Sequence, residues 1–124
     1  MSVDNQRISA LRHRVLLGRD AVAPRITNRT LVTGEVRLRV TGEIDRDNAP
    51  ALHHRLCDVL DRVTLPPTVT LDLSGVPLSD TAGARALAAV AEFARSRGSR
   101  LRLALASPLV RHTLTVCGLG PLLE

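Results

Sequence analysis

The chain has 124 residues, an apolar fraction of 44% and one aromatic residue, Phe93, so it is long enough for one domain whose core must be built from aliphatic side chains. Its longest unbroken apolar run, residues 86–91, is too short to cross a bilayer, and the arginine-rich N-terminus lacks the apolar stretch of a secretory signal. We therefore expect a cytoplasmic protein.

The positive charge is concentrated near the N-terminus. All 17 basic residues are arginines, and the formal net charge is +5. Residues 1–30 carry six arginines against two aspartates, whereas residues 31–124 carry 11 arginines against 10 acidic residues. We predict that residues 1–29 form a flexible basic arm, which is either a solvated extension or a contact for nucleic acid or an anionic membrane.

A β-hairpin is predicted at the start of the remaining chain. Apolar and polar residues alternate strictly from Val36 to Thr41, which indicates a strand with one buried face. Residues 31–33 precede this strand across the turn signal at 34–35 (GE), so the spacing predicts two short antiparallel strands that begin near Thr30.

The next segment predicts a helix followed by a buried strand. Asp47 and Asn48 are good helix caps, and Pro50 suits a first helical turn. Residues at helical spacing then form one apolar stripe: Leu52, Leu56, Val59, Leu60 and Val63. The double proline at 66–67 ends this helix, and residues 68–73 form a strand.

A second helix, a strand and a third helix follow. An alanine-rich pattern predicts a helix over about residues 82–97, with Gly98 as the residue that ends it. Residues 100–106 alternate, which predicts a strand whose buried face is formed by Leu101, Leu103 and Leu105. The Ser-Pro pair at 107–108 starts a third helix, which ends at Gly118.

The order of elements is hairpin, helix, strand, helix, strand, helix, which defines an α/β fold. Strand–helix–strand alternation implies parallel pairing with right-handed crossovers. We predict a single domain over residues 30–124, in which about three to four helices pack on a small mixed sheet made of the hairpin and the parallel strands. Segments 42–45 (GEID) and 80–83 (DTAG) both follow strands, so they are expected at the same edge of the sheet, where functional sites gather.

The templates of catalytic and metal sites are absent from the sequence. There is no GxSxG elbow, phosphate-binding P-loop or GxGxxG motif. The histidines lie in the arm or on predicted helices: His13, His53, His54 and His112. Cys57 and Cys117 lack the spacing of a metal site or a redox pair, and we interpret them as buried thiols. We predict no enzymatic activity, no metal and no cofactor.

The start of the second helix carries the most informative polar residues. Asp80 and Thr81 stand where free backbone N–H groups and the positive end of the helix dipole favour an anion. The hydroxyl of Thr81 is therefore a helix cap, a ligand group or a phosphate acceptor. Asp45, Asp72 and Asp80 either meet as an acidic cluster or serve as two caps and a strand-end carboxylate.

Three segments together resemble the signature segments of the STAS domain, and more closely those of bacterial anti-sigma factor antagonists. They are residues 42–45 (GEID), 71–76 (LDLSGV) and 80–83 (DTAG), and the Gly-Leu pair at 118–119 is similar to a late Ser-Gly-Leu of that family. The resemblance covers about residues 30–122, in order and with ordinary spacing, and it implies the STAS fold.

The resemblance also implies a function. Antagonists of this family bind an anti-sigma factor, commonly an ATP-dependent serine kinase, and so release a sigma factor. The kinase phosphorylates the hydroxyl residue after the motif aspartate, which abolishes binding, and a PP2C-type phosphatase restores it. By position, Thr81 is the phosphate acceptor, and the partner-binding surface is formed by Glu43, Asp45, Asp80, Ala82, Gly83 and Arg85.

The sequence departs from the family pattern at two places near this site. Thr81 stands where serine is commoner, and an Ala-Arg pair at 84–85 stands where the family usually has Leu-Gly. Arg85 lies one helical turn after Thr81, where it can pair with a phosphate or change which partner fits. Two alternative functions stay open: a STAS scaffold that is not phosphorylated, in a signalling complex or a lipid transporter, and nucleic-acid binding through the basic arm.

Overall fold

The computed structural model describes residues 24–30, 35–62 and 64–124. The elements follow in the order β1 (Arg25–Thr30), β2 (Val36–Thr41), α1 (Ala49–Arg62), β3 (Thr68–Gly75), α2 (Thr81–Ser96), β4 (Arg100–Ala104) and α3 (Pro108–Val116), and a short 3₁₀ turn (Gly120–Leu122) comes last. No helix in the described ranges is long and apolar enough to cross a membrane.

The four strands form one mixed sheet in the order β1-β2-β3-β4. β1 pairs antiparallel with β2, whereas β2 with β3 and β3 with β4 are parallel pairs. This arrangement confirms the predicted α/β fold class, in which a hairpin contributes one strand to a parallel sheet. α1 connects β2 to β3 and α2 connects β3 to β4, so both crossovers step across the sheet in the same direction. Because such crossovers are right-handed, the two helices pack on the same face of the sheet.

The first strand begins at Arg25, five residues earlier than the alternation predicted. Residues 25–29, which we assigned to the arm, therefore pair with β2. The sequence pattern of β1 was weak because Ile26 is its one apolar residue. As an edge strand, β1 is stabilised by the backbone hydrogen bonds that it forms with β2. The predicted strand at 31–33 and the arm at 1–23 lie outside the described residues, so the exact division between arm and domain stays a prediction.

The core lies between the helices and one face of the sheet and is aliphatic, as the composition predicts. Its completely buried leucines come from every major element after β1: Leu38 from β2, Leu52, Leu56 and Leu60 from α1, Leu71 and Leu73 from β3, Leu87 from α2, Leu103 from β4 and Leu114 from α3. At roughly 1.5–3 kcal/mol for each large apolar side chain removed from water, this burial is the main term that holds the layers together.

α2 and α3 end next to the predicted glycines, Gly98 and Gly118, which both have a positive φ. Gly98 has φ +80°, its N–H donates to the Arg95 carbonyl at 3.0 Å, and the N–H of Ser99 donates to the Ala94 carbonyl at 2.9 Å. These two bonds satisfy carbonyls that the helix itself leaves free. The predicted cap of α3 is also confirmed, because the Ser107 hydroxyl accepts a bond from the Val110 N–H at 3.3 Å.

The predicted burial of Leu105 is wrong. β4 ends at Ala104, and Leu105 is 61% exposed with a φ of 61°. This left-handed conformation turns the chain out of the sheet toward the cap of α3. The alternation of leucines in the sequence therefore extends one residue beyond the last hydrogen-bonded residue of β4. β3, in contrast, runs two residues beyond the predicted end and reaches Gly75.

Candidate functional site

Two loops meet at the carboxyl edge of the parallel strands. The loop after β2 and the loop after β3 are joined by the Ile44 N–H, which donates to the Leu78 carbonyl at 2.9 Å, and by the Asp80 N–H, which donates to the Ile44 carbonyl at 3.1 Å. Ile44 and Ser79 thereby form an isolated parallel bridge. The prediction that segments 42–45 and 80–83 lie at the same edge is confirmed.

Asp80 caps α2 and ties the two loops together. One carboxylate oxygen, Oδ1, accepts a bond from the Gly83 N–H at 2.9 Å. The other, Oδ2, accepts a bond from the Arg46 N–H at 3.0 Å. The carboxylate therefore binds one free amide at the start of α2 and also fixes the backbone of Arg46 in the loop after β2.

Asp45 fixes the loop that leads into α1. Its Oδ1 accepts bonds from the N–H groups of Asp47 at 2.9 Å and Asn48 at 3.0 Å. The buried Asn48 accepts a bond from the Asp45 N–H and donates its side-chain amide to the Glu43 carbonyl, both at 2.9 Å. Glu43 itself is exposed. Its backbone and Asp45 are thus held in a ring of short-range hydrogen bonds.

The three aspartates of the sequence hypothesis do not form a cluster. Asp80 caps α2, and Asp45 binds the amides of the turn that precedes α1. Asp72 lies on β3 and accepts a bond from the Ser74 N–H at 2.8 Å. Partial burial raises the pKa of Asp72, but hydrogen bonds from Ser74 and the charges of Arg37 and Arg39 outweigh it, so that this pKa lies below its ordinary value.

Within the described ranges, no group of three or more His, Cys, Asp or Glu side chains is arranged to hold a metal. Cys57 and Cys117 are free, half-buried thiols, and burial raises the pKa of Cys57.

Thr81 is the first residue of α2, and its side chain is exposed. Because Asp80 serves as the cap, the Thr81 hydroxyl is left out of the capping interaction. It lies in an open polar cleft of about 390 Å³. The residues that line this cleft are Asp45, Arg46, Asp47, Asp80, Thr81 and Ala82.

A second depression of about 360 Å³ runs beside the cleft, between α1 and α2. Small apolar residues form its walls, and three basic side chains lie along it: the walls are Ala49, Pro50, Ala82, Ala86 and Ala89, and the basic residues are Arg46, His53 and Arg85. The half-buried Ala82 and the exposed Arg46 line both depressions, so the cleft and the groove form one continuous surface. Gly83 is buried beneath it.

Sequence reasoning singled out Arg85 but missed Arg46. Arg46 becomes part of the site through the bond of its N–H to Asp80, a residue 34 positions away. Its one sequence signal was its position directly after Asp45, and a pairing between two distant loops leaves no trace in local spacing. Ser79 was also missed, although it is only 4% exposed and bridges to Ile44.

Comparison with known proteins settles the family. The family model described as "Mlab, STAS domain" matches residues 28–124. The chain belongs to the STAS domain family. The resemblance seen in the three sequence segments is thereby confirmed. None of the curated protein sequences matches this STAS domain.

Solved structures of similar fold include anti-sigma factor antagonists and a sulfate transporter family protein. The anti-sigma factor antagonist SpoIIAA in its unphosphorylated form is 21% identical with a TM-score of 0.66, over 81% of this chain and 86% of that one. An anti-sigma factor antagonist from Mycobacterium paratuberculosis is 28% identical with a TM-score of 0.62, over 78% and 81%. A sulfate transporter family protein from Wolinella succinogenes is 22% identical with a TM-score of 0.59, over 76% and 84%.

Proposed function

We propose that this STAS domain is an anti-sigma factor antagonist, a binding module that acts in the cytoplasm. It binds an anti-sigma factor of the serine-kinase type and regulates transcription through release of a sigma factor. Phosphorylation of Thr81 by that kinase ends the binding, and a PP2C-type phosphatase restores it. The 28% identity to the antagonist from Mycobacterium paratuberculosis supports this class of function.

The exposed hydroxyl of Thr81 carries the proposal. A kinase needs an acceptor that is free of structural duties and accessible to a second active site. Asp80 performs the capping of α2, so a phosphate on Thr81 breaks no capping bond. The amide groups of the first helical turn and the helix dipole favour a negative group at this place, which lets the domain remain folded in both states.

The charges around Thr81 explain how a phosphate acts on a partner. Asp45, Asp47 and Asp80 already line the cleft, and a phosphate adds roughly 1.5 to 2 negative charges beside them. A partner that docks across the cleft and the apolar groove then meets both like-charge repulsion and the cost of stripping water from a dianion. The proposed partner surface consists of Glu43, Asp45, Asp80, Ala82, Gly83 and Arg85.

The test combines phosphorylation with a binding measurement. The purified chain is incubated with ATP and a candidate serine-kinase anti-sigma factor, the phosphate is located by mass spectrometry, and affinities are measured by calorimetry. We expect phosphate on Thr81, wild-type affinity for Thr81→Ala, and an affinity at least about tenfold weaker for Thr81→Glu. Thr115→Glu is the matched control, because Thr115 is also exposed on a helix but lies away from the cleft. Absence of phosphate on Thr81, with equal binding by wild type and Thr81→Glu, contradicts the proposal.

A second candidate is a scaffold that assembles without phosphorylation, in a signalling complex or a lipid transporter. Arg85 favours it, because this side chain joins Arg46 along the groove and places positive charge beside the residue that a kinase must reach. The fold shared with a sulfate transporter family protein is also compatible with it. Stable co-purification with a transporter or a large complex, unchanged in Thr81→Ala and Thr81→Glu, favours this function over the switch.

A further inference from the structure

The face of the sheet that turns away from the helices is polar and rich in arginine. Its side chains are the outward members of the strand alternation: Arg25, Thr27, Arg37, Arg39, Thr68, Thr70, Asp72, Arg100 and Arg102. The register brings them into rows, since Arg37 lies opposite Thr70, and Thr70 lies opposite Arg102. Arg25, Arg39 and Arg100 are exposed, whereas Arg37 and Arg102 are half-buried. We call this set of side chains the arginine face.

The excess positive charge of the described domain lies on the arginine face. Its five arginines are opposed by three carboxylates, Glu35, Asp72 and Glu124. On the helices and loops of the described ranges, seven arginines are balanced by seven acidic residues. Three of those seven arginines form ion pairs with acids of the helices: Arg62 with Asp58, Arg95 with Glu92 and Arg97 with Asp61. On the arginine face, the ion pair found among described residues is that of Arg102 with Glu124, at 3.9 Å.

We propose that the arginine face binds the phosphate backbone of nucleic acid without sequence preference. Arginine guanidinium groups and the hydroxyls of serine and threonine are side-chain donors that contact nucleic-acid phosphates. The arginine face offers its arginines together with the exposed Thr27 and the half-buried Thr68, whereas Thr70 at its centre is buried. Arg37 and Arg39 are two positions apart on β2, so their Cα atoms are separated by about 6.7 Å. The two positive charges therefore lie side by side on the arginine face.

The composition of the arginine face argues against the other anionic partners. Surface binding to a membrane combines cations with apolar side chains that enter the lipid. The uncharged outward residues here are threonines, Ser74 and Ala104, and the one apolar residue among them, Ala104, is buried. Stacking on bases needs aromatic rings, and the one aromatic residue, Phe93, lies on α2. The expected contact is therefore to phosphates alone, which makes it dependent on salt and indifferent to sequence.

Asp72 limits this interaction. It lies between Arg39 and Ala104 in the register, and the hydrogen bond from Ser74 keeps its carboxylate within the arginine face. A negative charge at this position repels a polyanion and competes for Arg37 and Arg39. Removing that charge should therefore strengthen binding, an effect that a misfolded variant does not produce.

The test measures binding of the full chain to a fluorescently labelled duplex DNA of mixed sequence by anisotropy, over a series of salt concentrations. Arg37→Gln combined with Arg39→Gln should weaken binding at least about tenfold at low salt and reduce the slope of log affinity against log salt by about 2. Asp72→Asn should tighten binding severalfold. Arg62→Gln combined with Arg95→Gln removes the same charge from exposed helix positions and should leave the affinity near that of wild type.

Three results overturn the proposal. The first is no binding of wild type to DNA at low salt, including the case in which the chain binds vesicles of anionic lipid instead. The second is equal weakening by the arginine-face pair and the helix pair, which indicates a response to net charge alone. The third is loss of binding only when the arginines of the N-terminal segment, Arg7, Arg12, Arg14 and Arg19, are replaced by glutamine. The arginine face is separate from Thr81, so failure of this proposal leaves the proposed switch untouched.

Discussion

Gly83 lies so close to Ile44 that no side chain fits between them. A Cβ atom at Gly83 would come within 2.6 Å of the Ile44 Cγ2 and 2.5 Å of the Ser79 Oγ. The first turn of α2 therefore packs directly onto the bridge that joins the two loops of the site. The glycine of segment 80–83 is explained by this close approach, which also sets the position of the neighbouring Thr81.

Gly83→Ala should destabilise the domain, although alanine is the better helix former by about 1 kcal/mol. Overpacking against Ile44 and Ser79 costs about 1–3 kcal/mol. After the gain in helix propensity is subtracted, we expect a net loss of up to about 2 kcal/mol in urea unfolding. The control is a double-mutant cycle with Ile44→Ala, which removes the Ile44 Cγ2, one of the two atoms that the new methyl group would approach within 2.6 Å. The combined loss should be smaller than the sum of the single losses by at least about 0.5 kcal/mol. Strict additivity contradicts the packing explanation.

Asp80→Ala should cost more than the loss of an ordinary helix cap. Removal of a cap costs about 1 kcal/mol, but Asp80 also accepts the bond from the Arg46 N–H. We expect a loss of about 2 kcal/mol, against about 1 kcal/mol for Ser107→Ala, which removes the cap of α3. Hydrogen exchange at the Arg46 amide should accelerate in Asp80→Ala alone. Equal losses in the two variants, with unchanged exchange at Arg46, show that the second bond contributes nothing.

The sequence predicted the parts of this fold that depend on local periodicity and on caps. The alternation in β2 and the cap at Ser107 are decided by neighbours within a few positions, and the structure agrees with them. At the start of α2 the sequence left open whether Asp80 or Thr81 is the cap, and the structure assigns that role to Asp80. The location of the site followed from topology, because loops after parallel strands share one edge.

What could not be predicted depends on contacts between distant segments. β1 is stabilised by its hydrogen bonds with β2. The sequence of β1 does not alternate between apolar and polar residues, so it gave no sign of this pairing. Arg46 enters the site through Asp80 for the same reason. Leu105 fits the alternation of β4, and only the turn toward α3 removes it from the sheet.

Asp72→Asn should change how stability depends on pH. The pKa of Asp72 in the folded chain lies below its ordinary value of 3.8. Because the unfolded chain binds the proton more readily, the stabilisation from this carboxylate is fully present above pH 3.8 and is lost as the pH falls through the lower folded pKa. Wild type should therefore melt at a higher temperature than Asp72→Asn at neutral pH, and the difference should shrink in acid. Melting temperatures that stay parallel down the acid range contradict the prediction.

Leu105→Asn should stabilise the domain. Leu105 has a φ of 61° and is 61% exposed, so its side chain gives up little burial when it is replaced. A left-handed conformation costs an ordinary residue about 1–2 kcal/mol, whereas asparagine adopts it more readily. We expect a gain of about 0.5–1 kcal/mol in urea unfolding. Leu109→Asn is the matched control, because Leu109 is 54% exposed but helical, and there asparagine should cost a few tenths of a kcal/mol, roughly its propensity difference from leucine. A loss of stability in Leu105→Asn as large as in the control means that the side chain of Leu105 contributes more to the fold than its backbone conformation costs.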